Sequence, residues 1–338
     1  MKPPSVFKVG ILGAGQWGNT LAMLAAKSES QVILYDFDAD KVNLLLKTRE
    51  NPVLKGIPIP KSIHITNDLA EVFSKSDLIM PVIPAKVFRS FAKTFSKLVR
   101  PQQMIVHGTK GLDPTTYERM SEILFQELPT KKIGALSGPN LAIELAQGQP
   151  GATVVASSDD ELIQYTQKAL SSSQFRIYGN PDLVGVEWAG ALKNILAVGT
   201  GITTALGFGQ NAVSFLITRG LAEFSRLMSA MNAHSATLLG LAGIGDVITT
   251  CTSPLSRNFR AGQMLAKGMA LAQIEKEMGM TIEGLNTMKV VKELSANKNI
   301  DLPITTALYQ IAYEKRRIDT ALRDLMDRPS TNEFQYVK

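Results

Sequence analysis

A glycine-spaced loop near the amino terminus is the segment of this chain best suited to bind phosphate. Residues 13–18 read GAGQWG, and the three glycines would permit a tight turn, close approach of a pyrophosphate, and tight packing of a helix on a strand. Hydrophobic patterns predict a strand before the loop, over Phe7–Leu12, and a helix after it, over Trp17–Ala26. Amide groups at the start of that helix would then bind the phosphates of a dinucleotide. The alternative is a glycine-rich turn that binds no ligand.

An acidic residue follows the next predicted strand at the distance expected for a ribose ligand. The strand Gln31–Tyr35 is followed by Asp36, which lies 18 residues after Gly18. A carboxylate there would accept hydrogen bonds from a free 2′-hydroxyl and repel a 2′-phosphate, which favours NAD over NADP. Lys41 is close enough in the sequence to reach such a phosphate. Alternatively, Asp36 would cap the helix predicted over Asp40–Lys47.

Two charged residues interrupt apolar stretches in the second half of the chain. Lys193 lies in a run of small and apolar residues with helical spacing, where burial would lower the pKa of its ammonium group toward that of a useful general acid. Asp246 follows an uncharged stretch from Leu227 to Gly245, and a buried carboxylate requires a cation such as Lys193. No strand precedes the glycines of residues 240–245, so they predict a tight bend that presents Asp246. The alternative is that Lys193 extends to the surface.

The tripeptide Ser256-Arg257-Asn258 combines a hydroxyl, a guanidinium and an amide. Such a set of donors suits a phosphate or a carboxylate, which a guanidinium binds through two parallel hydrogen bonds. Each residue alone also fits a helix cap, a surface ion pair or a turn. Together with the glycine loop and Lys193, the three residues predict an anionic substrate placed beside a lysine.

The order of predicted elements indicates an α/β Rossmann-like domain followed by an all-α domain. Strands and helices alternate up to residue 180, which is typical of a mostly parallel sheet covered by helices on both faces. The pattern is helical after the Gly-Asn-Pro of residues 179–181, so we predict a dinucleotide-binding domain over residues 1–180 and a helical substrate-binding domain over residues 181–338. Besides the elements named above, the predicted strands are Leu78–Val82, Met104–Val106, Ile133–Leu136, Gly151–Ala156 and Phe175–Tyr178, and the predicted helices are Asp68–Ser74, Ala85–Leu98, Thr115–Phe125 and Asp159–Leu170.

The composition narrows the class of protein. The 338 residues are 45% hydrophobic and 20% charged with a net charge of +6, which is the balance of a globular protein of about two domains. The basic residues are spread over both halves, unlike the clusters of a nucleic-acid surface. One cysteine and three scattered histidines supply no cluster of metal ligands. We therefore expect neither a nucleic-acid partner nor a metal.

One charge-free stretch must be weighed as a membrane span. Residues 194–218 carry no charge, but glycines and a polar turn in the second half favour two buried helices over one lipid-facing helix. The first residues lack the long apolar run of a secretory signal, so we expect a cytoplasmic protein with no integral membrane segment. The apolar helical half is compatible with a homodimer and equally with a large core.

In their order along the chain, these motifs resemble those of the NAD(P)-dependent glycerol-3-phosphate dehydrogenases over residues 7–325. The resemblance implies that hydride from the nicotinamide reduces dihydroxyacetone phosphate to sn-glycerol 3-phosphate, a precursor of glycerophospholipids. A series of matches over two domains is much more specific than any one motif. The matching segments are residues 13–22, 109–111, 137–142, 193–195, 211–223, 240–251, 256–258 and 281–284.

The resemblance also implies a role for each matching side chain. Lys193 would donate the proton to the carbonyl oxygen, Asp246 would orient it, and Thr250 would support it. Lys110 would polarise the carbonyl and contact the cofactor. The remaining substrate contacts would be Gly138, Asn140, Ser256, Arg257 and Asn258, and the residues that match cofactor contacts of the family are Gln16, Trp17, Phe37, Ala142, Ile282 and Glu283. Our full set of predicted cofactor contacts adds Gly13, Gly15, Gly18, Asp36, Lys110 and Arg257.

Two positions depart from the family pattern. Asn140 stands where bacterial members often have Ser or Thr, and Asp36-Phe37 replaces a basic residue near the adenosine ribose. Two other kinds of protein fit parts of the sequence. One is a reductase of the same plan acting on a β-hydroxy acid, ketopantoate or a sugar acid, and the other is a dinucleotide sensor without catalytic activity. The Asp246 and Ser256–Asn258 segments favour a small phosphorylated ketone over the substrates of the other reductases, and a sensor would have no need to keep Lys110, Lys193 and Asp246 together.

Overall fold

The computed structural model describes residues 6–279, 282–329 and 332, which divide into two compact units. The division falls between Glu187 and Trp188, inside a helix that continues from one unit into the other. The boundary at residue 180 stays a prediction. Each unit is described separately below.

The first unit is built on one eight-stranded sheet. The strands follow the order β3-β2-β1-β4-β5-β6-β7-β8, and every pair of neighbours is parallel except β6 and β7. The prediction of a mostly parallel sheet is therefore confirmed. The strands are β1 (Lys8–Leu12), β2 (Gln31–Tyr35), β3 (His64–Thr66), β4 (Leu78–Pro81), β5 (Met104–His107), β6 (Ile133–Ser137), β7 (Gly151–Ala156) and β8 (Phe175–Asn180).

The sequence pattern does not indicate one of the strands, and it begins one of the helices five residues before its observed start. The strand β3 has only three residues and pairs only with β2 at the sheet edge, so it is too short to show a hydrophobic period. The helix predicted from Thr115 begins at Met120, because Asp113 Oδ1 accepts hydrogen bonds from the amides of Thr115 and Thr116 and holds them in a turn. The helices of this unit are α1 (Gln16–Lys27), α2 (Ala39–Thr48), α3 (Leu69–Lys75), α4 (Ala85–Phe95), α5 (Met120–Glu127), α6 (Ala142–Ala146) and α7 (Asp160–Leu170).

Apolar side chains form a separate core on each face of the sheet. In the central strand β1, Val9 and Ile11 pack into one core and Leu12 packs into the other, as the two-residue period of a strand requires. Because both faces are covered, the strand ends and the loops after them are the places left for polar side chains.

Helices joined by turns and loops make up the described residues of the second unit, which contain no strand. Two of its helices lie in close contact, since a Cβ added at Gly201 would lie 2.0 Å from the carbonyl oxygen of Phe259. No helix among the described residues is long and apolar enough to cross a membrane, and the charge-free stretch forms two helices joined by a turn, as predicted. The helices are α8 (Leu183–Ala205), α9 (Gln210–Ala230), α10 (Asp246–Thr252), α11 (Arg257–Ala266), α12 (Leu271–Met278), α13 (Glu283–Asn297), α14 (Pro303–Tyr313) and α15 (Ile318–Met326).

Candidate active site

The glycine loop between β1 and α1 has the geometry predicted for it. Gly13 has a φ of +112°, and a Cβ at Gly18 would lie 1.8 Å from the carbonyl oxygen of Gly13. A Cβ at Gly15 would meet no described atom within 4 Å, so the backbone there faces open space. No side chain among the described residues caps α1, and its first turn holds no acidic residue. Free amide donors beside open space fit a pyrophosphate.

Asp36 braces this loop from the end of β2. Its Oδ2 accepts hydrogen bonds from the amide of Ala14 at 2.9 Å and from Lys41 Nζ at 2.7 Å, and its Oδ1 accepts one from the amide of Asp38 at 3.2 Å. The alternative in which Asp36 caps the next helix is wrong, because Asp38 caps α2 by accepting from the amides of residues 40 and 41. Phe37 is 83% exposed beside it.

Two asparagines hold the same loop, and sequence reasoning gave neither of them a role. Asn19 Nδ2 donates to the carbonyl oxygen of Ala14 at 2.9 Å, and Asn51 Nδ2 donates to the same oxygen at 3.0 Å. Asn19 follows the third glycine directly, whereas Asn51 lies in a loop after α2 where no pattern marks it. Three other predicted cofactor contacts lie near the loop. Gln16 is exposed, and the indole nitrogen of Trp17 would lie 3.0 Å from a Cβ added at Gly108. The carbonyl oxygen of Ala142 accepts from Thr20 Oγ1 at 3.0 Å.

The loop after β5 brings Lys110 to the segment after β6. Lys110 Nζ donates to the carbonyl oxygen of Gly138 at 3.1 Å. Two residues further, Asn140 Nδ2 donates to Thr153 Oγ1 at 2.9 Å, while the buried Asn140 Oδ1 has no hydrogen-bond donor among the described residues. A buried amide oxygen without a donor is costly unless a ligand satisfies it. The three residues predicted to contact substrate in this unit therefore lie close together.

A buried carboxylate, Glu187, lies behind this loop and was missed by sequence reasoning. It accepts hydrogen bonds from the ring of His107, from Arg119 and from Ser121. His107 ends β5, three residues before Lys110. The sequence shows a single glutamate at the start of an apolar helix, and nothing in its spacing pairs it with residues about 70 positions earlier.

The second unit contains a buried lysine–aspartate pair. Lys193 Nζ lies 2.6 Å from Asp246 Oδ1 and 2.7 Å from Thr250 Oγ1, and Thr250 Oγ1 lies 3.3 Å from the same carboxylate oxygen. The side chains of Lys193 and Asp246 are 8% and 2% exposed. The predicted pairing is confirmed, and the alternative of a surface lysine is wrong. Asp246 and Thr250 lie one turn apart on α10, so both side chains reach the ammonium group of Lys193 on α8.

The bend before Asp246 is the one that the glycines predict. Residues Leu241–Gly245 form a single wide turn in which Gly243 leaves the helical conformation. A Cβ at Gly243 would lie 2.1 Å from the carbonyl oxygen of Leu238, so only glycine fits there. The bend ends where α10 begins at Asp246, which fixes the direction of the carboxylate.

The predicted anion-binding tripeptide forms the start of α11. Ser256 caps the helix by accepting from the amide of Phe259 at 3.3 Å, which is one of the structural alternatives considered for this tripeptide. Arg257 is exposed at the first helical position. Asn258 is buried and links three helices, donating to Asn194 Oδ1 at 2.8 Å and accepting from the amide of Gly284 at 2.9 Å. Its contact with substrate stays a prediction.

The start of α13 carries the last predicted cofactor contacts. Ile282 is buried, and Glu283 is half-buried at the first helical position. Burial raises the pKa of the Glu283 carboxyl to about 7, although the charge of Arg257 opposes the rise. Thr281 of the matching segment lies outside the described residues.

Comparisons with known proteins identify the same family twice. Residues 8–163 match a family model described as the NAD-dependent glycerol-3-phosphate dehydrogenase N-terminus, and residues 182–323 match the corresponding C-terminus model. Two curated relatives are named glycerol-3-phosphate dehydrogenase [NAD(P)+]. The one from Bacillus pumilus is 39% identical over 97% of this chain and 96% of its own length, and the one from Bacillus subtilis has the same values.

Solved structures agree with this match. A crystal structure of glycerol-3-phosphate dehydrogenase from Coxiella burnetii superposes with a TM-score of 0.90 at 34% identity, covering 96% of this chain and 100% of that one. A ketopantoate reductase from Ralstonia eutropha gives a TM-score of 0.59 at 14% identity, over 95% of this chain and 100% of that one, and so shares the fold alone. The similarity therefore favours the first family over the alternative reductases.

Proposed function

Because the chain belongs to the family of NAD-dependent glycerol-3-phosphate dehydrogenases, we infer that it reduces dihydroxyacetone phosphate to sn-glycerol 3-phosphate with NAD(P)H. The observation that carries this inference is the buried Lys193–Asp246–Thr250 cluster. A paired ammonium group in an apolar helix is costly to keep without a function, and carbonyl reduction needs an acid of this kind.

We propose that Lys193 is the proton donor. When bound, the nicotinamide supplies a hydride from its C4 to the carbonyl carbon of the substrate. The carbonyl oxygen then takes up negative charge, and the ammonium group of Lys193 stabilises that charge and transfers one proton to the oxygen. Asp246 holds the ammonium group in place at 2.6 Å and Thr250 fixes its direction. In the reverse reaction the neutral amine would accept the proton. This chemistry requires no metal.

The substrate contacts are proposed for two groups of residues, one in each unit. Lys110 would polarise the carbonyl, and the free oxygen of Asn140 beside Gly138 would accept a hydrogen bond from a substrate hydroxyl. Arg257 would bind the phosphate, with Ser256 and Asn258 placing it at the start of α11. The phosphate there would also gain from the positive end of the helix dipole.

The cofactor contacts are proposed for the glycine loop and for Gln16, Trp17, Phe37, Ala142, Arg257, Ile282 and Glu283. We propose a preference for NAD over NADP. The carboxyl group of Asp36 lies next to the loop, and its Oδ1 accepts only one long hydrogen bond among the described residues, which leaves this oxygen able to accept from a ribose hydroxyl. Lys41 already pairs with this carboxylate at 2.7 Å, which weakens it as a partner for a 2′-phosphate.

The test of the function is a substrate comparison. We expect oxidation of NADH with dihydroxyacetone phosphate, much less with unphosphorylated dihydroxyacetone, and none with ketopantoate. The kcat/KM for NADPH should be lower than for NADH. Arg257→Ala should raise KM for the phosphorylated ketone far more than for NADH, whereas Arg260→Ala, three residues further on the same helix, should leave both unchanged. Turnover of ketopantoate in place of the triose phosphate would contradict the proposal.

We also propose a setting for the enzyme. Supply of sn-glycerol 3-phosphate to glycerophospholipid synthesis, a cytoplasmic location and a homodimer are consistent with the family, with no nucleic-acid partner. Cell fractionation and light scattering of the purified protein test the location and the dimer.

A further inference from the structure

Glu187 is a heavily hydrogen-bonded buried carboxylate that the proposed reaction does not use. Its Oε1 accepts from His107 Nε2 at 3.0 Å and from the amide of Ser121 at 2.8 Å. Its Oε2 accepts from Arg119 Nη1 at 2.6 Å and from the Ser121 hydroxyl. The side chain is only 4% exposed. Four donors on a buried carboxylate hold it in a fixed position.

The ring of His107 connects this carboxylate to the backbone of the Lys110 loop. While Nε2 faces Glu187, Nδ1 lies 3.1 Å from the carbonyl oxygen of Thr109. Both partners are acceptors, so the ring can satisfy both only when both nitrogens carry protons. Burial by itself would raise the pKa of Glu187, but the hydrogen bond and charge of His107, the charge of Arg119 and the hydrogen bond from Ser121 bring it below its usual value. The ring therefore lies between the carboxylate of Glu187 and the carbonyl oxygen of Thr109.

The carbonyl that His107 binds belongs to the peptide bond leading into Lys110. Thr109, which provides this carbonyl, is also held by its side chain, because its Oγ1 donates to the carbonyl oxygen of Ile83 at 2.7 Å. The peptide before Lys110 is therefore fixed on two sides, and Lys110 Nζ is directed onto Gly138 at 3.1 Å. Loss of the ring contact would leave the Thr109 side chain as the remaining anchor of this peptide.

We propose that Glu187 is a positioning residue for Lys110, acting through a doubly protonated His107. The role of Lys110 in this statement rests on the proposed function. Arg119 and Ser121 serve the arrangement by keeping Glu187 charged and in place. Misplacement of a catalytic group by about 1 Å can cost on the order of 10²-fold in rate, so a fixed peptide before Lys110 matters to catalysis.

The protonation state of His107 tests the first half of the proposal without any activity measurement. Nitrogen-15 NMR of the imidazole rings at pH 8 separates charged from neutral histidine. The chain has only three histidines, and His64→Gln and His234→Gln variants, both at exposed positions, assign the His107 signals by elimination. We expect both ring nitrogens of His107 to carry protons, because each of them faces an acceptor. A neutral His107 ring in the unsubstituted protein would overturn the proposal.

A double-mutant cycle tests the second half. Glu187→Gln should lower kcat/KM for dihydroxyacetone phosphate about 10- to 100-fold. In a Lys110→Ala background the same substitution should cause no further loss, because the residue it positions is gone. Losses that multiply would show that Glu187 does not act through Lys110. If Glu187→Gln does not fold, Ser121→Ala removes one donor to the carboxylate and should give a smaller loss of the same kind.

Glu223→Gln is the matched control. Glu223 is also a buried carboxylate, but it accepts from the amides of Ile304 and Thr305 at the start of α14. Its substitution should lower thermal stability and leave kcat/KM unchanged. The two proposals fail in different ways. An unsubstituted protein that does not reduce dihydroxyacetone phosphate would refute the proposed function. If the unsubstituted protein is active and Glu187→Gln has the same kcat/KM, only the positioning role is refuted.

Discussion

Two lysine–aspartate pairs, one in each compact unit, have nearly the same geometry in different surroundings. The distance from nitrogen to oxygen is 2.6 Å for Lys193 and Asp246 and 2.7 Å for Lys41 and Asp36. Lys193 is 8% exposed, whereas Lys41 is 32% exposed. Water screens a charge at the surface, while a buried charge acts strongly on whatever lies beside it. Burial, more than contact distance, therefore separates a candidate catalytic lysine from one that can exchange its partner for a ligand.

The largest difference between the pairs should be in turnover. Lys193→Ala should lower kcat by about 10²-fold or more, because the alkoxide then forms without an acid beside it. Lys41→Ala should leave kcat within about twofold, since its charge lies near the ribose end of the proposed cofactor site. Steady-state kinetics with NADH and dihydroxyacetone phosphate measures both, with circular dichroism to check folding. A Lys193→Ala enzyme with nearly normal kcat would refute its assignment as proton donor.

The aspartates should differ in their effect on stability. Asp246→Asn leaves a buried ammonium group without its counter-ion and should lower the free energy of unfolding by about 3–5 kcal/mol. Asp36→Asn keeps an acceptor for the amide of Ala14 and releases a lysine that can be solvated, so we expect a loss of about 1 kcal/mol or less. Urea unfolding of the two variants checks this prediction. Equal losses would mean that the burial of the first pair does not matter.

Lys41 should affect the choice of cofactor by a smaller factor. Lys41→Gln removes the lysine that pairs with Asp36 and leaves the carboxylate facing the proposed ribose site. Repulsion of a 2′-phosphate should then increase, and the ratio of kcat/KM for NADH to that for NADPH should rise about two- to fivefold, which is typical of a partly exposed charge. The shift should shrink at high salt. Lys47→Gln, near the other end of α2, is the control and should leave the ratio unchanged.

The sequence predicted local features well and long-range contacts poorly. Local features depend on residues that are close in the chain, so the hydrophobic period and the turn residues identify them. Examples are the strand β2, the glycine loop and the two helices of the charge-free stretch. The pairing of Lys193 with Asp246 was found only because each is an isolated charge in an apolar stretch. Glu187 and Asn51 gave no such sign, since their partners lie on other elements and only the folded chain brings them together.

Glu283, a half-buried carboxylate in the second unit, extends the comparison to a group whose pKa is set more by burial than by the nearby cation Arg257. The pKa of Glu283 is raised by burial to about 7 from 4.5, even with the charge of Arg257 nearby. The folded state therefore binds a proton more tightly than the unfolded state, so this group favours folding most below pH 4.5 and less as the pH rises to about 7. Glu283→Gln should flatten that part of the curve of unfolding free energy against pH.

The remaining slope in Glu283→Gln should come in part from Glu223, whose pKa burial also raises to about 7. Glu277→Gln, at an exposed position on α12, should leave the curve unchanged and is the control. Urea unfolding between pH 4.5 and 7.5 measures all three proteins. If Glu283→Gln runs parallel to the unsubstituted protein, the carboxyl is already ionised at low pH, and Arg257 then stabilises it as Lys193 stabilises Asp246. The outcome decides whether the start of α13 presents a neutral or a charged acid to the proposed cofactor.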